Sequence, residues 1–213
     1  DWQLGESNFL ITGYEFVQDQ LEADTDARSS MSMRSMLMSD TQTHRFNKGK
    51  ETTNAIFASM ETSLPMDFTV NYGVRYTWVN SKLSKASASL NGFDRNGQYK
   101  NFDDGSAGKT GSDRNSRPVF NLSLNWTGLP DTSLRAGWSQ GFRVPNLQEK
   151  YLMNSMGGGT IFGNPNLKPE KSNNFEIGAR YAGSAVEADF ALFYNLADDY
   201  ISTIRIYPDV GTK

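Results

Sequence analysis

The sequence predicts an all-β fold, an antiparallel transmembrane β-barrel segment of about seven strands, on three observations. The first is Phe68–Trp78, FTVNYGVRYTW, where Phe68, Val70, Tyr72, Val74, Tyr76 and Trp78 alternate with Thr69, Asn71, Gly73, Arg75 and Thr77. Period two makes a strand with one apolar and one polar face. Its eleven residues, at ~3.3 Å each and tilted ~45°, cross roughly 25 Å, the apolar height of an outer-membrane barrel wall. The second is that the connections alternate long and short along the whole chain. The third is charge at mid-strand on the polar faces: Arg75, Arg135, Glu176, Arg180, Glu187 and Asp189. These suit a hydrated or plugged lumen better than a dry core. A soluble β-sandwich or extracellular β-module is the competing fold.

The other strands follow in order. Asn8–Leu21 has mixed faces. Thr53–Leu64 sets Ile56, Ala58, Met60 and Leu64 against Ser59, Glu61 and Ser63, and the turn Leu64-Pro65-Met66-Asp67 ends it. Pro118–Thr127 alternates Phe120, Leu122, Leu124 and Trp126 with Asn121, Ser123, Asn125 and Thr127. After Gly128–Asp131, Thr132–Phe142 repeats the pattern with Leu134, Ala136, Trp138 and Phe142. Asn173–Tyr181 and Val186–Asn195 close the series around the turn Ala182–Ala185. Glu22–Thr52, Asn80–Arg117 and Arg143–Ser172 are long polar segments, expected to be irregular loops at one end of the sheet. Short periplasmic turns opposite long extracellular loops is the layout of an outer-membrane barrel.

Composition narrows the chemistry. Hydrophobic residues are 37% of the 213, and no apolar run is long enough for a transmembrane helix. With no cysteine and a single histidine, His44, thiol catalysis, Cys-ligated zinc and multi-His metal sites are excluded within this chain. A net charge of −3 without a basic stretch argues against nucleic acid. Nothing reads as catalytic, so the chain is expected not to be an enzyme and to carry no cofactor or resident metal. The opening Asp1-Trp2, without a leader, reads as a mature chain or an excised piece.

Two phrases carry a resemblance. They are Gly141-Phe142-Arg143-Val144-Pro145, and Asn164-Pro165-Asn166-Leu167-Lys168-Pro169-Glu170 with Ser172 ahead of Glu176-Ile177-Gly178. Phe193–Ile201, FYNLADDYI, adds to them. At this spacing, between alternating strands, they resemble the barrel of TonB-dependent outer-membrane receptors. The resemblance implies a barrel of about 22 strands around an N-terminal plug. On that reading residues 1–213 are a partial barrel, with the plug, the TonB-engaging box and the closing strands outside the chain. It also implies a Gram-negative outer-membrane location, surrounding lipid and TonB as partners, and uptake of an iron chelate, ferric siderophore ahead of haem. Haem receptors of this kind typically carry a histidine between the two phrases; Asn146–Gly163 has none. A complete small barrel acting as an adhesin and a soluble β-rich binding module are the other readings.

Ligand-facing candidates are Arg143, Asn146, Tyr151, Met153, Met156, Phe162 and Asn164 in the third segment. Of these, Tyr151, Met153 and Met156 could serve haem iron. Tyr99 and Phe102 could stack on a ligand. Met31, Met33, Met36 and Met38 offer thioethers, suited to an apolar ligand or Cu(I), or simply to loop packing. Lys82, Lys85, Arg95, Lys100, Lys109, Arg114 and Arg117 would make a mildly cationic vestibule for anionic siderophores, or be solvated charges or contacts to lipopolysaccharide phosphates.

Overall fold

The structure is a computed structural model that describes residues 1–33, 36–93, 98–101, 110–151, 153–156 and 159–203. Its elements are β1 (Trp2–Leu4), β2 (Asn8–Met33), β3 (Met36–Leu64), β4 (Phe68–Phe93), β5 (Tyr99–Asn101), β6 (Gly111–Leu129), β7 (Thr132–Arg143), α1 (Leu147–Tyr151), β8 (Met153–Met156), β9 (Gly159–Phe162), β10 (Glu170–Ala182) and β11 (Glu187–Asp198). The main sheet runs β1-β2-β3-β4-β6-β7-β10-β11, every pair antiparallel, with β5 added beside β4. All seven expected strands are present. β8 and β9 form a separate hairpin.

Register explains the alternation. Trp2, Leu10, Met60, Tyr72, Leu122, Trp138, Phe175 and Tyr194 are successive cross-strand partners, one apolar row across the main path. Tyr72, Leu122 and Phe175 in that row are 45%, 48% and 43% exposed. The opposite face carries the charges, joined between strands. Arg75 reaches Glu15 at 2.8 Å and lies over the Phe57 ring. Arg135 binds Glu176 at 2.8 Å and Asp189 at 2.9 Å, passing flat over Gly178, where a Cβ would lie 2.6 Å from the guanidinium carbon. The accessible surface is 15341 Å², against roughly 9,900 Å² for a compact monomer of 23.8 kDa. A sheet with one bare apolar face and one polar face is a wall, and among the described residues the β8–β9 hairpin is the one other sheet, too small to be the second layer of a sandwich.

The short turns lie where expected. Pro130 and Asp131 (φ 54°) make a two-residue turn, and Met66 and Asp67 (φ 63° and 62°) turn β3 into β4. Trp126 stacks near Phe68 at 6.1 Å and donates from Nε1 to the Met66 carbonyl at 3.0 Å. Tyr76 and Trp78, 5.9 Å apart, mark the other rim of the apolar band.

Two of the three expected irregular loops are corrected. Glu22–Thr52 is the continuation of β2 and β3, paired almost to Met33–Met36. Most of Asn80–Arg117 continues β4 and β6, which pair from Phe68–Trp126 up to Leu83–Gly111. These strands, of 19 to 29 residues, far exceed the roughly 9–11 that a bilayer needs, so their upper halves stand outside it. There both faces meet water or protein, and the apolar-out pattern that marks the wall is lost.

Candidate functional site

The third segment does fold back. Its first part, α1, is seated on the inner face of the wall's extension. Pro145 precedes it and is almost wholly buried. Asn146 caps the helix: its Oδ1 accepts from the Glu149 N–H at 2.9 Å, and the Glu149 carboxylate accepts from the Asn146 N–H at 2.9 Å. This is the reciprocal capping box, which lets so short a helix hold its shape.

The seat is built by the strands. On β4, Val79, Ser81 and Leu83 face inward and are buried. Leu147, 7% exposed, enters against Leu83 and Gly49. A Cβ at Gly49 would lie 2.6 Å from Leu147 Cδ1, so only glycine leaves this room. Lys150 is 4% exposed and its ammonium pairs with Asp113 on β6. Tyr151 covers Gly111. Ser81 donates to Glu51 at 2.6 Å beside the seat.

Arg143, at the end of β7, ties the segment to the wall. Its Nε and one terminal nitrogen donate to Glu170 at 2.6 and 2.9 Å, and the other nitrogen donates to both oxygens of Glu149 at 3.0 Å. Asn164 donates from its N–H to the Glu149 carbonyl at 2.8 Å and accepts at Oδ1 from the Asn166 N–H at 2.9 Å. Three sequence candidates, Arg143, Asn146 and Asn164, therefore converge on Glu149, which stands outside the candidate set, as do Asp113, Lys150 and Glu170, the last named only within the second phrase. The Asn146-x-x-Glu149 capping pattern was the one available signal. Phe102 and the side chains of Met31, Met33, Met36, Met38, Tyr99, Met153, Met156 and Phe162 lie outside the described residues.

Other charges fall elsewhere. Lys82, Lys85 and Arg114 stand on the outward face, away from the lumen, and Arg117 on the inward one; Arg95 and Lys109 are outside the described residues. His44 is exposed on the same outward face, 2.8 Å from Asp26 and 3.5 Å from Asp24. Its hydrogen bond to Asp26, above all, holds the imidazolium above its usual range, against a smaller effect of desolvation.

The Asp113 carboxyl sits below its usual range. Burial opposes ionisation, but hydrogen bonds from Lys150 and Asn115, the Lys150 charge and the Arg114 N–H together outweigh it. A depressed carboxyl stabilises the seated state above its ordinary pKa, and that contribution disappears as pH falls through the depressed value. Protection of the α1 amides in the full-length protein, taken as exchange relative to an unstructured peptide at the same pH, should therefore be unchanged from neutral pH to about pH 4 and fall below it. Loss of protection already near pH 6 would contradict the Asp113 anchor. Gly49→Ala should unseat Leu147 by overpacking worth about 1–3 kcal/mol. Trypsin cleavage after Lys150 should accelerate, and adding Leu147→Val should restore part of the protection.

A model of the TonB-dependent receptor-like β-barrel family matches residues 1–213. The chain is 39% identical over 97 residues to the iron-regulated outer membrane virulence protein of Vibrio cholerae serotype O1 (El Tor Inaba strain), a match covering 44% of this chain and 14% of that protein. It is 27% identical over 132 residues to heme/hemopexin utilization protein C of Haemophilus influenzae, covering 54% of this chain and 18% of that protein. Among solved structures, a double mutant of the Serratia marcescens hemophore receptor HasR, in complex with its hemophore HasA and heme, superposes with a TM-score of 0.56 at 14% identity, over 89% of this chain and 34% of that one. That likeness speaks for the fold, and the match along the whole length for the family. The apolar outward row and the polar, cross-linked inward face are what such a wall requires. This chain belongs to the TonB-dependent receptor β-barrel family of the bacterial outer membrane.

Proposed function

We propose that this chain supplies wall and ligand-facing extracellular elements to a TonB-dependent active-transport receptor for an iron chelate, a ferric siderophore ahead of haem. The observation that carries the reading is α1, held on the inner face above a polar lumen wall by Leu147, Lys150 and Arg143. A segment so placed stands where an incoming ligand meets the lumen, and it leads into the stretch of sequence that carries the candidates Met153, Met156 and Phe162, with Tyr151 at its start. Arg143, Asn146 and Asn164 then act by positioning it. Iron as cargo is supported by the name of the Vibrio relative. The sheet is one arc of a larger closed barrel, since an open edge in lipid leaves backbone groups unpaired. Energy coupling through TonB and a plug belongs to the rest of such a receptor.

The test is uptake. A Gram-negative host stripped of its own siderophore and haem receptors would express the full-length receptor under iron starvation. It would then be offered a panel of radiolabelled ferric siderophores, and haem. TonB-dependent accumulation of a ferric siderophore is the expected result. Uptake of haem alone would favour the second reading, which the Haemophilus relative supports. Uptake of neither would overturn the iron assignment.

A further inference from the structure

The chain that leaves β11 comes back to the wall at a single carboxylate. β11 ends at Asp198, paired with Lys171. An unbroken ladder would set the next residue, Asp199, across from Glu170. Asp199 instead takes the left-handed conformation (φ 54°), which aspartate tolerates better than most side chains, and the backbone leaves the strand direction. The Ile201 N–H then donates to Glu170 Oε1 at 2.6 Å, and Ile201 is half-buried there.

Glu170 is also the partner of Arg143, its opposite number in the β7–β10 register. Arg143 Nε donates to Oε2 and one terminal nitrogen to Oε1, while the other terminal nitrogen serves both oxygens of Glu149. One guanidinium and one carboxylate therefore stand in series between α1 and the chain beyond β11. Oε1 is shared: it accepts from Arg143 and from Ile201 together. A carboxylate that tilts to follow Arg143 is drawn off Ile201, because hydrogen bonds weaken steeply with angle. The Glu170 side chain is 16% exposed. The hydrogen bonds from Arg143, above all, pull its carboxyl down to about 2; burial opposes this, and the Ile201 N–H and the Arg143 charge add to it. The joint is thus charged and strong at ordinary pH.

We propose that Glu170 is a positioning residue of the lumen mouth. Through Arg143 and the Ile201 N–H it holds α1 and the chain leaving β11 in one mutual arrangement, so that displacement of either is passed to the other and cargo meets the two as one wall. That cargo meets them rests on the transport function proposed above; the coupling itself does not.

The test is a double-mutant cycle in the full-length receptor, its folding checked by heat-modifiable gel mobility. Asp113→Ala disturbs α1 from β6, through Lys150. Protection of the Ile201 amide, taken as exchange relative to an unstructured peptide, should then fall about tenfold. Two variants cut the link. Glu170→Gln leaves one acceptor oxygen and turns an NH2 group toward a donor of Arg143. Arg143→Met leaves the carboxylate to Ile201 alone. In either background Asp113→Ala should change Ile201 protection less than about twofold, with Glu170→Ala marking the floor. No response of Ile201 to Asp113→Ala, or an equal fall in both cut backgrounds, would overturn the coupling. In uptake of a radiolabelled ferric siderophore, Glu170→Gln should raise the half-saturating concentration about tenfold and keep the maximal rate, since fewer receptors then present the assembled wall. A lowered maximal rate at an unchanged half-saturating concentration would overturn the positioning role. Absence of siderophore uptake by the unmodified receptor counts against the iron reading alone, and the exchange cycle still decides the coupling.

Discussion

Asp113→Ala is expected to release α1 from the wall and open the bond after Lys150 to trypsin. The Lys150 side chain is 5% exposed and Asp113 supplies its countercharge. Removing one partner of a buried pair leaves a charge without compensation, at about 3–5 kcal/mol. The segment escapes that cost by lifting Lys150 into water, so the penalty appears as unseating and is capped by what Leu147 and the Arg143–Glu149 contact contribute. A shift of about 100-fold or more in the seated population is expected. In the full-length receptor it is read as cleavage rate and as hydrogen exchange at the helix amides. Asp113→Leu combined with Lys150→Met, which replaces the pair by apolar groups and removes the trypsin site, should recover most of the protection read by hydrogen exchange. A single substitution that left protection intact would mean that the ion pair does not hold the segment.

Leu122→Arg should prevent stable insertion, where the neighbouring Ser123→Arg should not. Leu122 lies mid-wall in the apolar row between Tyr72 and Trp138, 48% exposed on the face turned to lipid. An arginine at the bilayer midplane costs about 2–4 kcal/mol in a barrel wall. Ser123, one residue on, faces Gly137 across β6 and β7 on the polar side. There the wall has a depression of about 360 Å³ that already holds Arg135 and Glu176, and a further cation meets water and carboxylates. Refolding both variants of the full-length receptor into lipid vesicles, with urea titration and gel mobility, separates them. Equal loss in both would sink the assignment of faces.

How much of this was readable from residues differs between wall and site. Phe68–Trp78 announced its strand because lipid outside and a polar lumen inside enforce opposite characters on alternate residues. Past Trp78 the alternation persists with its phase reversed: Val79, Ser81 and Leu83 turn inward under α1, and Asn80 and Lys82 turn outward. Without knowing that the environment changes at the rim, that reversal looks like noise, and the long upper strands passed for loops. Gly49 looked like loop glycine for the same reason, although its role is to make room for Leu147.

The site shows the same division. Arg143 and the phrases around it could be placed at a strand end from local pattern, because prolines and capping residues act on their immediate neighbours. The partners could not. Lys150 and Asp113 are 37 residues apart, Arg143 and Glu170 are 27 apart, and the latter pair meets because β10 docks against β7 in one register. Alternation, turn chemistry and strand length are local properties and sufficed for a membrane wall of the TonB-dependent kind. Which inward residue seats α1 depends on register and on the bulge opposite Lys48 and Gly49. A one-residue slip there would send each side chain to the other face.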